Sequence, residues 1–212
     1  MTTIATAPAP DVPLAALDDL KAELQNASFD EPALINYLRQ ASSMAASYIG
    51  SPVLLNSYRD VLRLERSPLR EILLGRRPVA AIDTIMANGQ DLTDVVDPDS
   101  DLDPDAGILH APAGCCRWHG RIIVTYRAGY LGPGMDAPDG LTVPALPPDI
   151  SRAVLITARA LFHAPSRGDP QLRSESEQGV GSTAWLDPDG SAGGMPVDAA
   201  AILTPYRAGA WS

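Results

Sequence analysis

Lysine occurs once in this chain of 212 residues, at Lys21, and cysteine occurs only as the neighbours Cys115 and Cys116. Adjacent cysteines are poorly placed to bridge one another, so no disulfide framework is available and a reducing compartment suits the chain. Histidine is scarce at three residues, which restricts both general-base chemistry and imidazole metal ligation. A basic balance is missing too: 16 Lys and Arg face 26 Asp and Glu, for a net charge of -10. That is the opposite of the footprint that grips nucleic acid through counterion release. No apolar run is long enough to span a bilayer, and Met1 to Pro13 has no basic cluster followed by an apolar stretch. Neither a secretory signal nor a membrane anchor is expected, and the chain is expected to be cytoplasmic when made.

What is present fits a globular body. Hydrophobic residues make up 45% and charged residues 20%, and the length is ample for one domain with a real core. Twenty Pro and 17 Gly call for many turns and long connections. Fifteen of the 16 basic residues are Arg. Arginine is favoured at protein interfaces for its planar donor fork, although a bias in genomic base composition gives the same excess.

The chain divides by period and composition. Residues 1–13, rich in Ala, Thr and Pro, read as a mobile arm unless a neighbour orders them. Leu14, Leu17, Leu20 and Leu24 recur at helical spacing. A second helix is framed by Asp30 as cap, Glu31 and Pro32 in the first turn and Gly50 at the end, with Leu34, Leu38, Ala41, Ala45 and Tyr48 as its apolar stripe. From about residue 57 to 130 the period shortens: Val61, Leu62 and Leu64, then Ile72 to Leu74, then Val79, Ile82, Ile85 and Met86 read as short strands, with Asn88-Gly89 as a tight hairpin. Arg121 to Tyr126 is the strongest strand, being mostly β-branched and aromatic. A third helix opens at Pro148 or Asp149, carries Ile150, Val154, Ala158 and Leu161 on one face, and stops by Pro165. The body thus covers 14–165. Residues 166–196 read as a flexible loop with a possible hairpin around Val180 to Leu186, and 197–212 as a short helix and tail. The fold class is α+β, mainly α: a small helical bundle with short antiparallel strands and hairpins inserted.

Catalytic patterns are incomplete wherever they begin. Asp97, Asp99, Asp101, Asp103 and Asp105 alternate like the start of a calcium loop, but Leu102 stands where the glycine belongs and Ile108 where the bidentate glutamate belongs. A solvated acidic turn is the simpler expectation. His110, Cys115, Cys116 and His119 combine imidazole and thiolate donors, yet no Cys-x-x-Cys pair exists. His163, near the end of the third helix, reads as a packed or capping side chain. No Gly-x-Ser-x-Gly elbow occurs, and Gly179-Val180-Gly181-Ser182 lacks the spacing and the lysine of a phosphate loop. No catalytic residue, metal site or cofactor is assigned.

The order of several landmarks resembles the head-tail connector (adaptor) proteins of long-tailed bacteriophages and gene transfer agents. They are Leu17-Asp18-Asp19-Leu20-Lys21-Ala22-Glu23-Leu24, Ser47-Tyr48-Ile49-Gly50, Arg76-Arg77-Pro78-Val79-Ala80-Ala81-Ile82 and Ile122 through Tyr130. Val143-Pro144 through Leu146-Pro147-Pro148-Asp149-Ile150 follows, and Ile202-Leu203-Thr204-Pro205-Tyr206-Arg207 closes the set. The resemblance implies a homo-oligomeric ring, twelvefold in that family, between the capsid portal and the next stopper or tail-terminator connector. DNA would pass through its channel without specific binding. It implies assembly in the host cytoplasm and a final place in the particle neck. By the same analogy Ile202, Leu203, Tyr206 and Arg207 are portal-docking candidates, so removing 197–212 is expected to abolish portal binding and leave the body folded. An acidic channel would repel phosphate and let the duplex slide. Two other readings compete: a metal-dependent hydrolase using the acidic loop and the His/Cys cluster, and a monomeric assembly factor.

Overall fold

A computed structural model describes residues 1–24, 30–112, 117–164, 174–177, 181–184 and 194–207, with the backbone alone at 65–67, 174–177 and 181–184. In chain order its elements are β1 (Thr2–Ala5), α1 (Leu17–Leu24), α2 (Glu31–Ile49), β2 (Asn56–Leu69), β3 (Glu71–Leu73), β4 (Val79–Ala87) and β5 (Gln90–Asp91). There follow α3 (Pro98–Asp101), β6 (Leu102–Asp103), β7 (Ile108–His110), β8 (Trp118–Ala128), α4 (Pro148–His163), β9 (Ser174–Glu177), β10 (Gly181–Ala184) and α5 (Val197–Leu203). The fold is α+β, with antiparallel sheets inserted between helices. The chain forms two compact units, one of residues 1–11 and 52–145, the other of residues 12–51 and 146–212.

The strand-rich unit holds a five-stranded antiparallel sheet in the order β1-β2-β8-β4-β5 and a three-stranded one in the order β3-β7-β6. Strand β8 alternates strictly: Ile122, Val124, Tyr126 and Ala128 are buried, while the residues between them are not. That period-2 pattern fixes which face meets the core, because a slip of one residue would expose every apolar side chain. Tyr58 stands opposite Tyr126, and Leu62 opposite Ile122. With Ile72, Leu109 and Trp118 they form one core drawn from both sheets. The indole Nε1 of Trp118 donates to the Leu109 carbonyl at 3.2 Å, so the largest buried side chain is also hydrogen-bonded. Asn88 and Gly89 both take positive φ, 54° and 83°, and join β4 to β5 in the tight turn that the Asn-Gly pair predicts.

The arm expected at 1–13 is corrected in part: Thr2–Ala5 pairs antiparallel with Tyr58–Val61 of β2 as an edge strand. A β-strand needs only backbone donors and acceptors to add to an open edge, so its low apolar content did not prevent it.

The helical unit packs α2 on α4, α5 on α4, and α1 on both α2 and α4. Ala41 and Ala45 of α2 and Ala153 and Ala158 of α4 are fully buried, and small side chains there let helix axes approach closely. Leu20, Leu34, Leu38, Ile150 and Val154 supply the bulk. The Leu14 N–H donates to Ser42 Oγ at 2.9 Å and its carbonyl accepts from Ser151 Oγ at 2.9 Å, which ties the chain ahead of α1 to α2 and α4. Glu23 pairs with Arg152 and, at 3.8 Å, with Arg159. Asp30 occupies the cap position of α2, but its side chain makes no capping hydrogen bond. Pro32 stands two residues on and has no N–H, which removes one of the two donors such a cap uses. Gly50 ends α2 in the left-handed conformation, its N–H on the Ala46 carbonyl at 3.0 Å.

Candidate functional site

Landmarks far apart in sequence meet at two places, one in each unit. In the helical unit, α5 continues into a 3-10 turn at Thr204–Tyr206. Thr204 Oγ1 lies 3.3 Å from the Tyr48 hydroxyl and also donates to the Ala200 carbonyl at 2.9 Å. The Tyr206 hydroxyl donates to Asp149 Oδ2 at 3.4 Å. The Arg207 guanidinium stands 5.1 Å from the centre of the Tyr48 ring, within cation-π range. The end of α2, the start of α4 and the segment after α5 therefore converge.

Among the docking candidates, Arg207 is exposed, Ile202 and Tyr206 are half-buried, and Leu203 is completely buried. Met195, Ala199 and Ala200 are buried with it. The expectation that 197–212 can be removed without harm to the body is corrected here. Helix α5 is a wall of the helical unit, because its Ala-Ala-x-x-Leu face packs as core.

In the strand-rich unit the junction is a buried carboxylate. Asp60 lies on the inward face of β2 between Tyr58 and Leu62 and has no exposed surface. Its Oδ2 accepts from the Gly75 N–H at 2.7 Å and from the Tyr126 hydroxyl at 3.0 Å, while Oδ1 has no partner among the described residues. The Tyr126 oxygen in turn accepts from the Arg76 N–H at 3.0 Å. The Arg76 guanidinium stands 5.9 Å from the Tyr58 ring centre. Burial, then the Asp60 charge and the hydrogen bond to it, push the Tyr126 hydroxyl well above its ordinary pKa. Asp60 and Tyr126 thus pin the turn that carries Arg76 and Arg77 onto the central strand. Asp60 belongs to none of the landmarks; its one signal in the sequence is an acid at an inward position of an alternating strand.

Gly129 closes the same region. Its N–H donates to the Pro78 carbonyl at 2.8 Å, and an added Cβ would fall 2.6 Å from the Leu54 carbonyl oxygen. Backbone on that side leaves no room to give.

Among the described residues the candidate chemical centres do not assemble. Asp97 caps α3, accepting from the Asp99 N–H and from Ser100 Oγ; Asp101 accepts from the Asp97 N–H, and Asp103 from the Ala106 N–H. These carboxylates are engaged in local turns. His110 lies 3.6 Å from Glu71, and the His119 ring faces the Arg117 carbonyl at 3.4 Å. Cys115 and Cys116 lie outside the described residues. No group of three or more His, Cys, Asp or Glu suited to a metal occurs among the described residues. His163 packs its ring against Phe162, 5.1 Å away. Gly181 and Ser182 pair with Glu177 and Ser176 in the β9–β10 hairpin, while Gly179 and Val180 lie outside the described residues.

No protein-family model and no curated protein matches the chain. Solved structures do. A chain in the neck of an empty gene transfer agent particle, computed with C6 symmetry, matches with a TM-score of 0.57 at 17% identity, over 98% of this chain and 95% of that one. The chain shares the fold of that neck chain. A chain of the native gene transfer agent virion gives 0.56 at 16% identity, and a chain of the native neck, computed with C12 symmetry, gives 0.54 at 17%, with the same coverage. The likeness to these chains runs nearly end to end and takes in both units. At this identity it is a likeness of backbone: the fold is shared, and the side-chain surfaces are this chain's own.

Proposed function

We propose that this protein is a structural connector of a phage-type particle: copies assemble as a ring at the neck, between the capsid portal and the next stopper or tail-terminator component. The observation that carries this is the near-complete coverage in both directions of chains from gene transfer agent necks. A domain borrowed for another purpose would match over one unit only. The resemblance of the ordered landmarks supports the same reading, and they meet at the two junctions described above. Twelvefold symmetry and passage of DNA through the ring without specific binding belong to this proposal by analogy. So do assembly in the host cytoplasm and a final position in the neck. The role is mechanical, with no catalytic step.

Portal contact falls, in this reading, to the surface around Ile202, Tyr206 and Arg207, with Leu203 anchoring the segment from below. Arginine and tyrosine are side chains that dominate interface energetics. The deciding experiment is native mass measurement and negative-stain imaging of the purified protein, alone and mixed with the portal protein of the same gene cluster. A ring seated on the portal is expected. No complex at high concentration of both would refute the assignment. Within a complex that does form, Arg207→Glu should weaken portal binding by at least about tenfold.

A further inference from the structure

We propose that the outward face of the five-stranded sheet is the surface through which one copy takes hold of the next, and that its occupant is the acidic segment Asp91–Asp105 of a second copy. This rests on the ring reading above and assigns the contact within it.

The sheet register places Arg63 directly opposite Arg121 on neighbouring strands. Like charges in that position repel, and a sheet ordinarily avoids them. Arg59 stands opposite Thr125 and Arg127 opposite Ser57, so four guanidiniums belong to the face turned away from the core. Arg59, Arg63 and Arg121 are exposed. Arg127 is held by Asp83 at 3.1 Å; the other three have no acidic partner among the described residues. At the centre of the four, Val61 and Ile123 face each other in register and are only half-buried. An apolar centre rimmed by unmatched arginines is the composition of a protein interface.

The complement lies in the same unit. Between Asp91 and Asp105 there are seven aspartates and no basic residue. Strand β5, where this run begins, is the far edge of the sheet, separated from β2 by β8 and β4. Three strand spacings amount to about 14 Å, more than the Debye length of about 8 Å at physiological salt. Within one copy, then, Asp91 does little for Arg63. Opposite charges segregated between the sheet face and the segment that follows its far edge make a head-to-tail contact, which repeats and closes into a ring. Duplex DNA would also seek guanidiniums, but the net charge of -10 and the seven aspartates of the same unit oppose phosphate.

The test is a pair of charge reversals in the full-length chain. One variant carries Arg63→Glu and Arg121→Glu; the other carries Asp94→Arg and Asp99→Arg, where both aspartates are exposed. Sedimentation velocity and native mass spectrometry at low salt read self-assembly, with and without the portal, and circular dichroism checks that each variant folds. Each variant alone should assemble at least about tenfold more weakly than the parent. Mixed in equal amounts they should recover assembly as alternating rings, because each reversed surface then meets its opposite. Either variant assembling like the parent, or a mixture no better than its components, overturns the proposal. So does an Arg63→Glu/Arg121→Glu protein that assembles normally but loses binding of duplex DNA, which would make nucleic acid the occupant. A parent that never assembles, alone or on the portal, overturns instead the ring reading on which this contact depends.

Discussion

Replacing Tyr126 with Phe removes a single oxygen from the core of the strand-rich unit, and three groups feel the loss. Asp60 Oδ2 keeps only the Gly75 N–H, Oδ1 already has no partner among the described residues, and the Arg76 N–H loses its acceptor. A hydrogen bond to a charged group contributes roughly 1.5–3 kcal/mol, and an orphaned backbone donor costs about 1 kcal/mol more. Phenylalanine recovers about 1 kcal/mol, because no hydroxyl has to be desolvated. The net loss should be about 1.5–3 kcal/mol. For a chain of this length that lowers the unfolding midpoint by roughly 3–12 °C. Calorimetry gives the global figure, and hydrogen exchange at the β2–β8 amides localises it. The control is Tyr58→Phe, whose ring centre lies 6.0 Å away and which should change stability by less than about 1 kcal/mol. If Tyr126→Phe and Tyr58→Phe prove equally mild, the Asp60–Tyr126 pair does not hold the Arg76 turn and the argument fails.

Three further outcomes are expected. Tyr58, Tyr126 and Tyr130 all have raised pKa values, burial being the first cause in each. A group whose folded value exceeds its unfolded value of about 10 contributes stability that is intact below that pH and lost as pH rises above it. Phenolate absorbance should therefore show three of the six tyrosines titrating late and together with unfolding, and independent titration of all six near the ordinary value would count against it. Leu203→Ala empties a fully buried position and should cost the helical unit about 2–5 kcal/mol in urea unfolding; a loss of portal binding with unchanged stability would instead make Leu203 a surface anchor. Gly129→Ala meets backbone that cannot move aside and should destabilise the strand-rich unit by at least about 2 kcal/mol, read from its melting midpoint against the parent.

The elements whose periodicity is locally complete were legible without a structure. Helix α4 starts at the proline that opens it and ends just before Pro165, and α2 runs from Glu31 to Ile49 with Gly50 closing it, as predicted, although Asp30 makes no side-chain cap. The Asn88-Gly89 turn is chemically dictated, since only such residues accept positive φ at both positions. What spacing cannot convey is partnership over distance. Strand β1 exists because β2 offers an edge 53 or more residues away. Helix α5 looks like a free peptide until α4 is set beside it. Asp60 becomes meaningful only when Gly75 and Tyr126 are brought to it. The repulsive pairing of Arg63 with Arg121 likewise needs the register, which no single strand contains.

The division of the chain between its two units has a consequence for synthesis. The strand-rich unit is complete once residue 145 has emerged, whereas the helical unit needs α4 and α5, which come last. At roughly 5–20 residues per second, α2 waits several seconds between its own emergence and that of the helix it packs against. For that interval Leu34 and Leu38, fully covered in the finished protein, have only α1 and not yet α4 or α5 beside their helix. The ribosome therefore delivers a folded sheet flanked by an unpacked helix. The order of manufacture leaves the helical junction at Tyr48, Asp149 and Arg207 as the last feature to close.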